Sequence, residues 1–143
     1  MDRNEAQVFF ERYRAAFDRL DGDAVAALWY TPSAIADSRD GHGRVEVWTD
    51  DAPMRANMHA LCAAYREAGF ASTDFELLDA LSFGANHALA HLQWQIWRAD
   101  GSLLQRFRTA YQLLRGADGW RVFGCTAYEE NLADMKEHDH AAQ

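Results

Sequence analysis

The stretch FFERYRAAFDRLDGDAVAALWYTPSAIADS, residues 9–38, carries two helical patterns into an apolar strand that ends on a carboxylate. From Phe9 and Phe10 through Tyr13, Ala16, Phe17 and Leu20, apolar side chains recur at helical spacing, with Glu11, Arg12, Asp18 and Arg19 between them. Asp21-Gly22-Asp23 breaks this helix and supplies an N-cap for a short second one carrying Val25, Leu28 and Trp29, with Pro32 as its stop. Ser33-Ala34-Ile35-Ala36-Asp37 then alternates as a strand, which puts Asp37 on the face of Ile35. If Ile35 points inward, so does a carboxylate, and a buried carboxylate needs a compensating partner or a chemical use.

Outward from there, the turn Arg39-Asp40-Gly41-His42-Gly43 separates strand-like pieces at residues 34–37 and 44–48; its GHG lacks the strand, helix and spacing of a phosphate loop. Asp50 or Asp51 can cap a third helix whose Met54, Met58, Leu61, Cys62 and Tyr65 form one stripe, ending near Gly69. The period then changes to two. Phe75, Leu77, Leu81 and Phe83 share a face in a first long strand; Ala90, Leu92, Trp94 and Ile96 in a second; Phe107, Thr109, Tyr111 and Leu113 in a third; Trp120, Val122, Thr126 and Tyr128 in a fourth. Turns at residues 84–87, 99–101 and 116–119 suit antiparallel hairpins. Helices followed by a meander predict an α+β fold, three N-terminal helices packed on one face of a strongly curved, mostly antiparallel sheet. Residues 1–130 are expected to form a single domain, and residues 131–143 a polar tail that frays or makes a short helix.

The length of 143 residues fits one core, with room for a cavity. A net charge of −8 gives no electrostatic footprint for nucleic acid or anionic lipid, so neither is an expected partner. Cys62 and Cys125 are too few and too far apart for a disulfide framework or a zinc site, which predicts reduced thiols. The polar, acidic start MDRNEAQ and the lack of a long apolar run predict a cytoplasmic protein without a membrane span. His138 and His140 beside Glu137 and Asp139 could hold a metal only adventitiously; no metal or cofactor is expected.

This order of elements, with the turn GADGWRV before the last strand, resembles the nuclear transport factor 2-like superfamily, also called SnoaL-like or ketosteroid isomerase-like, over nearly the whole chain. The resemblance implies the cystatin-like cone. The opening ERYRAAFDRLDGDAVAALWYTPSAIAD is most similar to ketosteroid isomerase, where a helix tyrosine donates to the substrate oxyanion and a strand-end aspartate moves the proton. The resemblance places Tyr13 and Asp37 in those roles and Tyr111 where the isomerase holds a protonated acid. Tyr111 and Ser38, the latter in place of a proline, depart from the isomerase pattern. A phenol stays protonated at neutral pH without help, so Tyr111 could still donate.

Alternation adds the expected walls: Trp29, Met58, Trp94, Ile96, Thr109, Val122 and Tyr128, with His59 at the cavity mouth as a further acid or base. Each has a plainer reading. Asp37 could cap its loop or pair with an arginine, Tyr13 and Tyr111 could be core residues with bonded hydroxyls, and His59 could be a half-exposed helix residue. The opposite sheet face, with Trp97, Phe123 and Cys125 among Gln93, Gln95, Arg106, Arg108 and Gln112, suits a protein interface, and the resemblance implies a homodimer formed through it. Two functions stay open. One is a cofactor-independent isomerase, cyclase or dehydratase acting next to a carbonyl of a small apolar molecule; the other is a non-catalytic dimeric binding module.

Overall fold

The computed structural model describes residues 1–130. The tail and its histidines, residues 131–143, lie outside the described residues. The order is α1 (Arg3–Asp18), α2 (Gly22–Ala26), β1 (Trp29–Arg39), β2 (His42–Trp48), α3 (Asp51–Glu67), β3 (Phe70–Phe83), β4 (His87–Arg98), β5 (Leu103–Gly116) and β6 (Gly119–Tyr128). The strands form one sheet in the order β2-β1-β6-β5-β4-β3, antiparallel except for the parallel pair β1 and β6. The fold is the expected α+β cystatin-like arrangement of three helices on a curved, mostly antiparallel sheet.

Local chemistry explains the elements. Asp2 and Glu5 make a reciprocal capping box that satisfies orphan amides at the start of α1. The helix buries Phe9, Phe10, Tyr13, Ala16 and Phe17 along one stripe. Asp40 and Gly41, both at positive φ (55° and 79°), make the two-residue turn between β1 and β2. That twist matches the flanking strands, and glycine takes it without strain. On α3 the stripe Met54, Met58, Cys62 and Tyr65 is buried, while Leu61 is exposed at its edge.

Three expectations are corrected. Helix α2 ends at Ala26, not at Pro32: Trp29 already pairs with Val122, and Pro32 sits in β1 where the register with β6 slips between Trp29 and Ala34. A strand irregularity tolerates a residue with no N–H to donate. In β3, Leu78 is an extra residue opposite the step from Leu92 to His91, so Leu81 and Phe83 turn to the outer face and are exposed, whereas Phe75 and Leu77 pack inward. In β6, Phe123 is extra between Val122, paired with Leu113, and Gly124, paired with Gln112. That bulge inverts the alternation after it: Cys125 and Ala127 turn inward, and Thr126 and Tyr128 outward.

The side chains of α1 and α3 pack on the concave face, and α2 is tied to α3 by His59, whose Nε2 lies 2.8 Å from Asp23 Oδ1, and by Arg55, 3.1 Å from the same oxygen. No described helix is long and apolar enough to cross a membrane. At the contact of the two helices, a Cβ on Gly22 would lie 2.7 Å from His59 Nδ1 and 3.0 Å from the His59 backbone. Backbone cannot swing away, so Gly22→Ala should force α2 off α3 and cost about 1–3 kcal/mol, as overpacking does. Denaturant melts of the variant check this; an unchanged midpoint would mean that the two helices are not in this contact.

Candidate functional site

The concave face and the helices enclose a cavity of about 420 Å³, inside the range of small-molecule sites. Its floor comes from alternate residues of β4 and β5: Trp94, Ile96, Gln105, Phe107, Thr109 and Tyr111. Helix α1 adds Tyr13 and Phe17, α3 adds Asn57, Met58, Leu61 and Tyr65, and β6 adds Cys125 and Ala127. Trp29 and Ile35 close the β1 side.

Within this apolar wall lies a cluster of rings and hydroxyls. The Trp29 indole N–H donates to the Tyr13 hydroxyl at 3.1 Å. The Trp94 indole N–H is shared between Thr109 Oγ1 and the Tyr111 hydroxyl, 3.1 Å from each. The Tyr13 and Tyr111 rings are 5.7 Å apart, which brings the two phenols together in the same cluster. Burial pushes both phenols above their ordinary 10.0; the Cys125 thiol adds to the rise at Tyr13, and Tyr13 itself to the rise at Tyr111. The polar groups of Trp29 and Tyr111 pull Tyr13 partly back, and those of Thr109 and Trp94 do the same at Tyr111. Both phenols are therefore neutral donors at any ordinary pH. Burial likewise raises the Cys125 thiol and keeps it a thiol.

Charge is confined to the mouth, where Asp37, Arg39, Arg44, Glu46 and Glu130 line the opening. Asp37 and Arg44 are cross-strand partners and form a bidentate pair, Nε to Oδ1 at 2.6 Å and Nη2 to Oδ2 at 3.1 Å. That bond is the main cause of the raised Arg44 pKa. Glu130, half-buried, has its carboxyl raised first by desolvation and then by the negative charge of Asp37, with Arg39 and Arg44 opposing.

A family model for NTF2-like protein (DUF6841) matches residues 4–130. The chain belongs to this NTF2-like family. Among solved structures it is similar to a domain of unknown function with a cystatin-like fold from Nostoc punctiforme PCC 73102, at 13% identity, covering 99% of this chain and 86% of that one, with a TM-score of 0.68. It is also similar to an NTF2-like protein with a cystatin-like fold from Novosphingobium aromaticivorans (19% identity, 88% and 80% covered, TM-score 0.68). A ketosteroid isomerase-like protein from Erwinia carotovora atroseptica SCRI1043 matches at 18% identity, with 85% and 90% covered and a TM-score of 0.61. At these identities the likeness is one of fold. No curated protein matches the sequence.

Of the site residues expected from sequence, this NTF2-like chain brings Tyr13, Asp37, Tyr111, Trp29, Met58, Trp94, Ile96 and Thr109 to one cavity. Three stand elsewhere. Val122 is fully buried in the core without lining the cavity, and His59 faces Asp23 on the outside of α2. Tyr128, turned outward by the Phe123 bulge, stacks on and hydrogen-bonds to His91 on the opposite sheet face. Cys125, assigned to that outer face from sequence, lines the cavity instead, for the same reason. Sequence reasoning also missed Gln105, Tyr65 and Glu130. Alternation back from Thr109 through Phe107 reaches Gln105, and Tyr65 was visible on the α3 stripe; nothing local marks Glu130.

Because the Glu130 carboxyl is raised in the folded state, the folded protein holds that proton more tightly than the unfolded chain does. The stability it contributes is complete below the ordinary carboxylate value of 4.5 and is lost as pH rises through the raised one. Glu130→Gln should flatten this part of the stability–pH curve, measured by thermal melts across mildly acidic pH. A slope identical to wild type would place Glu130 in open solvent.

Proposed function

We propose that the protein binds a small, largely apolar molecule whose carbonyl or enolate oxygen sits on the hydroxyls of Tyr13 and Tyr111. The supporting observation is the imbalance of donors and acceptors in the buried cluster. Two indole N–H groups, which can only donate, occupy lone pairs of the three hydroxyls of Tyr13, Thr109 and Tyr111, and among the described residues none of these hydroxyls passes its own proton to an acceptor. An unused buried donor costs about 1–3 kcal/mol, so a ligand oxygen that accepts it is favoured by the same amount. Donation from the indoles also polarises each hydroxyl toward the ligand. A phenol-type compound that imitates an enolate, such as a naphthol, should bind, and Tyr111→Phe should weaken it by about 1–3 kcal/mol in titration calorimetry. Equal affinity in the variant would make Tyr111 a core residue only.

A catalytic version of this reading is favoured by the carboxylates facing the same space. With the ligand oxygen held by the phenols, a mouth carboxylate could take a proton from the adjacent carbon, as the resemblance to the isomerases suggests. Asp37 is held in position by its bidentate contact with Arg44. Glu130, whose carboxyl is raised by desolvation and by the charge of Asp37, is the second base available. Exchange of the α-hydrogens of a bound ketone in D₂O, followed by NMR, tests this. A true base should show a loss of about 10²–10⁴-fold on Asp37→Asn or Glu130→Gln. No exchange in the wild-type protein would leave the binding module as the reading, with Asp37 an anchor for the β1–β2 hairpin.

Pairing with a second copy through the outer sheet face is part of the same proposal. No described helix covers this face, and it carries Leu89, Trp97 and Leu114 half-buried, acidic Asp74, Glu76 and Asp79 on β3, and basic Arg106 and Arg108 on β5. Opposite charges on the two sides of one face are complementary under a twofold axis. A charge at its centre, Ala110→Glu, should shift the protein to monomer in light scattering. A wild-type protein that is monomeric at high concentration would end this part of the proposal.

A further inference from the structure

We propose that the cavity has a second polar subsite at Gln105 and Tyr65, and that its ligand is two-ended: an apolar body with a second, neutral oxygen acceptor. This rests on the reading of the cavity as a ligand site and goes beyond it by fixing the shape and chemistry of the occupant.

Gln105 is 2% exposed, an unusual burial for a glutamine, and it lines the cavity. Its amide oxygen accepts the hydroxyl proton of Tyr65, itself buried. Its amide nitrogen, a double donor, bonds to no described residue. Reversing the amide does not remove the surplus: one N–H would then donate to the Tyr65 oxygen, and the other N–H and the Tyr65 hydroxyl proton would find no acceptor in the pair. Thr73, in the same row across the sheet through Ile96, directs its hydroxyl proton to the Gln95 carbonyl at 2.9 Å. An amide donor that opens onto the cavity with no described partner is free to take an acceptor from the occupant.

The second oxygen should be neutral. The cations of the cavity, Arg39 and Arg44, are at the mouth on β1 and β2. The charge near Tyr65 is that of Glu130, which helps to raise the tyrosine pKa, so an anion here would meet repulsion. Spacing sets the length. Gln105 and Thr109 stand on the same face of β5, four residues apart, which is about 13 Å along a strand. Trp94, Phe107 and Ile96 fill the interval with apolar surface. Allowing for hydrogen-bond reach at each end, the two ligand oxygens should be on the order of 7–8 Å apart.

Nonane-2,8-dione carries two ketones at about this separation, and 2-nonanone carries one on the same chain. Each is titrated into uniformly ¹⁵N-labelled protein, following the indole N–H signals of Trp29 and Trp94. The dione should bind about 2–10-fold more tightly than the monoketone, the worth of one neutral hydrogen bond. Gln105→Met, close in volume, should abolish that preference, the ratio of the two affinities falling to about one. Tyr65→Phe, which releases the Gln105 oxygen, serves as the second variant and should reduce the preference if Gln105→Met does not fold. Tyr111→Phe should weaken both ketones alike. A dione that binds no better than 2-nonanone, with both still weakened by Tyr111→Phe, would overturn the second subsite and leave the first reading standing. Failure of both ketones to bind would overturn both readings.

Discussion

Buried polar hydrogens must find acceptors, and this constraint governs the interior. Trp29 and Trp94 aim their N–H groups at Tyr13, Thr109 and Tyr111, which fixes the depth of α1 on the sheet and the orientation of three side chains from one strand and a helix. Phe10 packs against Tyr111 at 4.9 Å and Phe75 against Trp94 at 5.3 Å, so aromatic contacts hold the rings while the hydrogen bonds set their rotation. The arrangement leaves protons, and not lone pairs, as the unused capacity of the cavity. Such an interior favours an electron-rich oxygen.

Much of the fold was legible because its periods are strong. The stripe from Phe9 to Phe17 and the alternation of Trp94 with Ile96, or of Thr109 with Tyr111, each translate directly into a buried face. The parity of Ile35 and Asp37 also carried through: both line the cavity, and the carboxylate finds its partner in Arg44 directly across the hairpin. What periodicity could not carry was the bulge. One extra residue at Phe123 exchanges Cys125 and Ala127 for Thr126 and Tyr128, and another at Leu78 sends Leu81 and Phe83 outward. Neither Phe123 nor Leu78 carries a local signal such as proline. Gly124 follows Phe123, but a lone glycine in a strand does not say which way the phase shifts.

The misplacement of His59 has a different origin. Its position on α3 was read correctly as an edge, but an edge has two sides, and Gly22 opens the side facing α2 by presenting no Cβ to it. Asp23 then captures the ring. The cavity mouth takes its charge from the β1–β2 hairpin and from Glu130, elements brought together only when β1 runs parallel to β6. Long-range pairing of this kind leaves no trace in local spacing.

The central claim is that the interior presents unpaired donors to a ligand oxygen. The carbonyl stretching frequency of a ¹³C-labelled ketone bound to the protein, measured by infrared difference spectroscopy, reads that property directly. A cavity built from Tyr13, Tyr111, Thr109 and the two indoles should move the band below its position in water, because fixed donors polarise the bond more than mobile solvent does. A band at the frequency found in alkane would mean that the oxygen meets no donor, and would contradict the account.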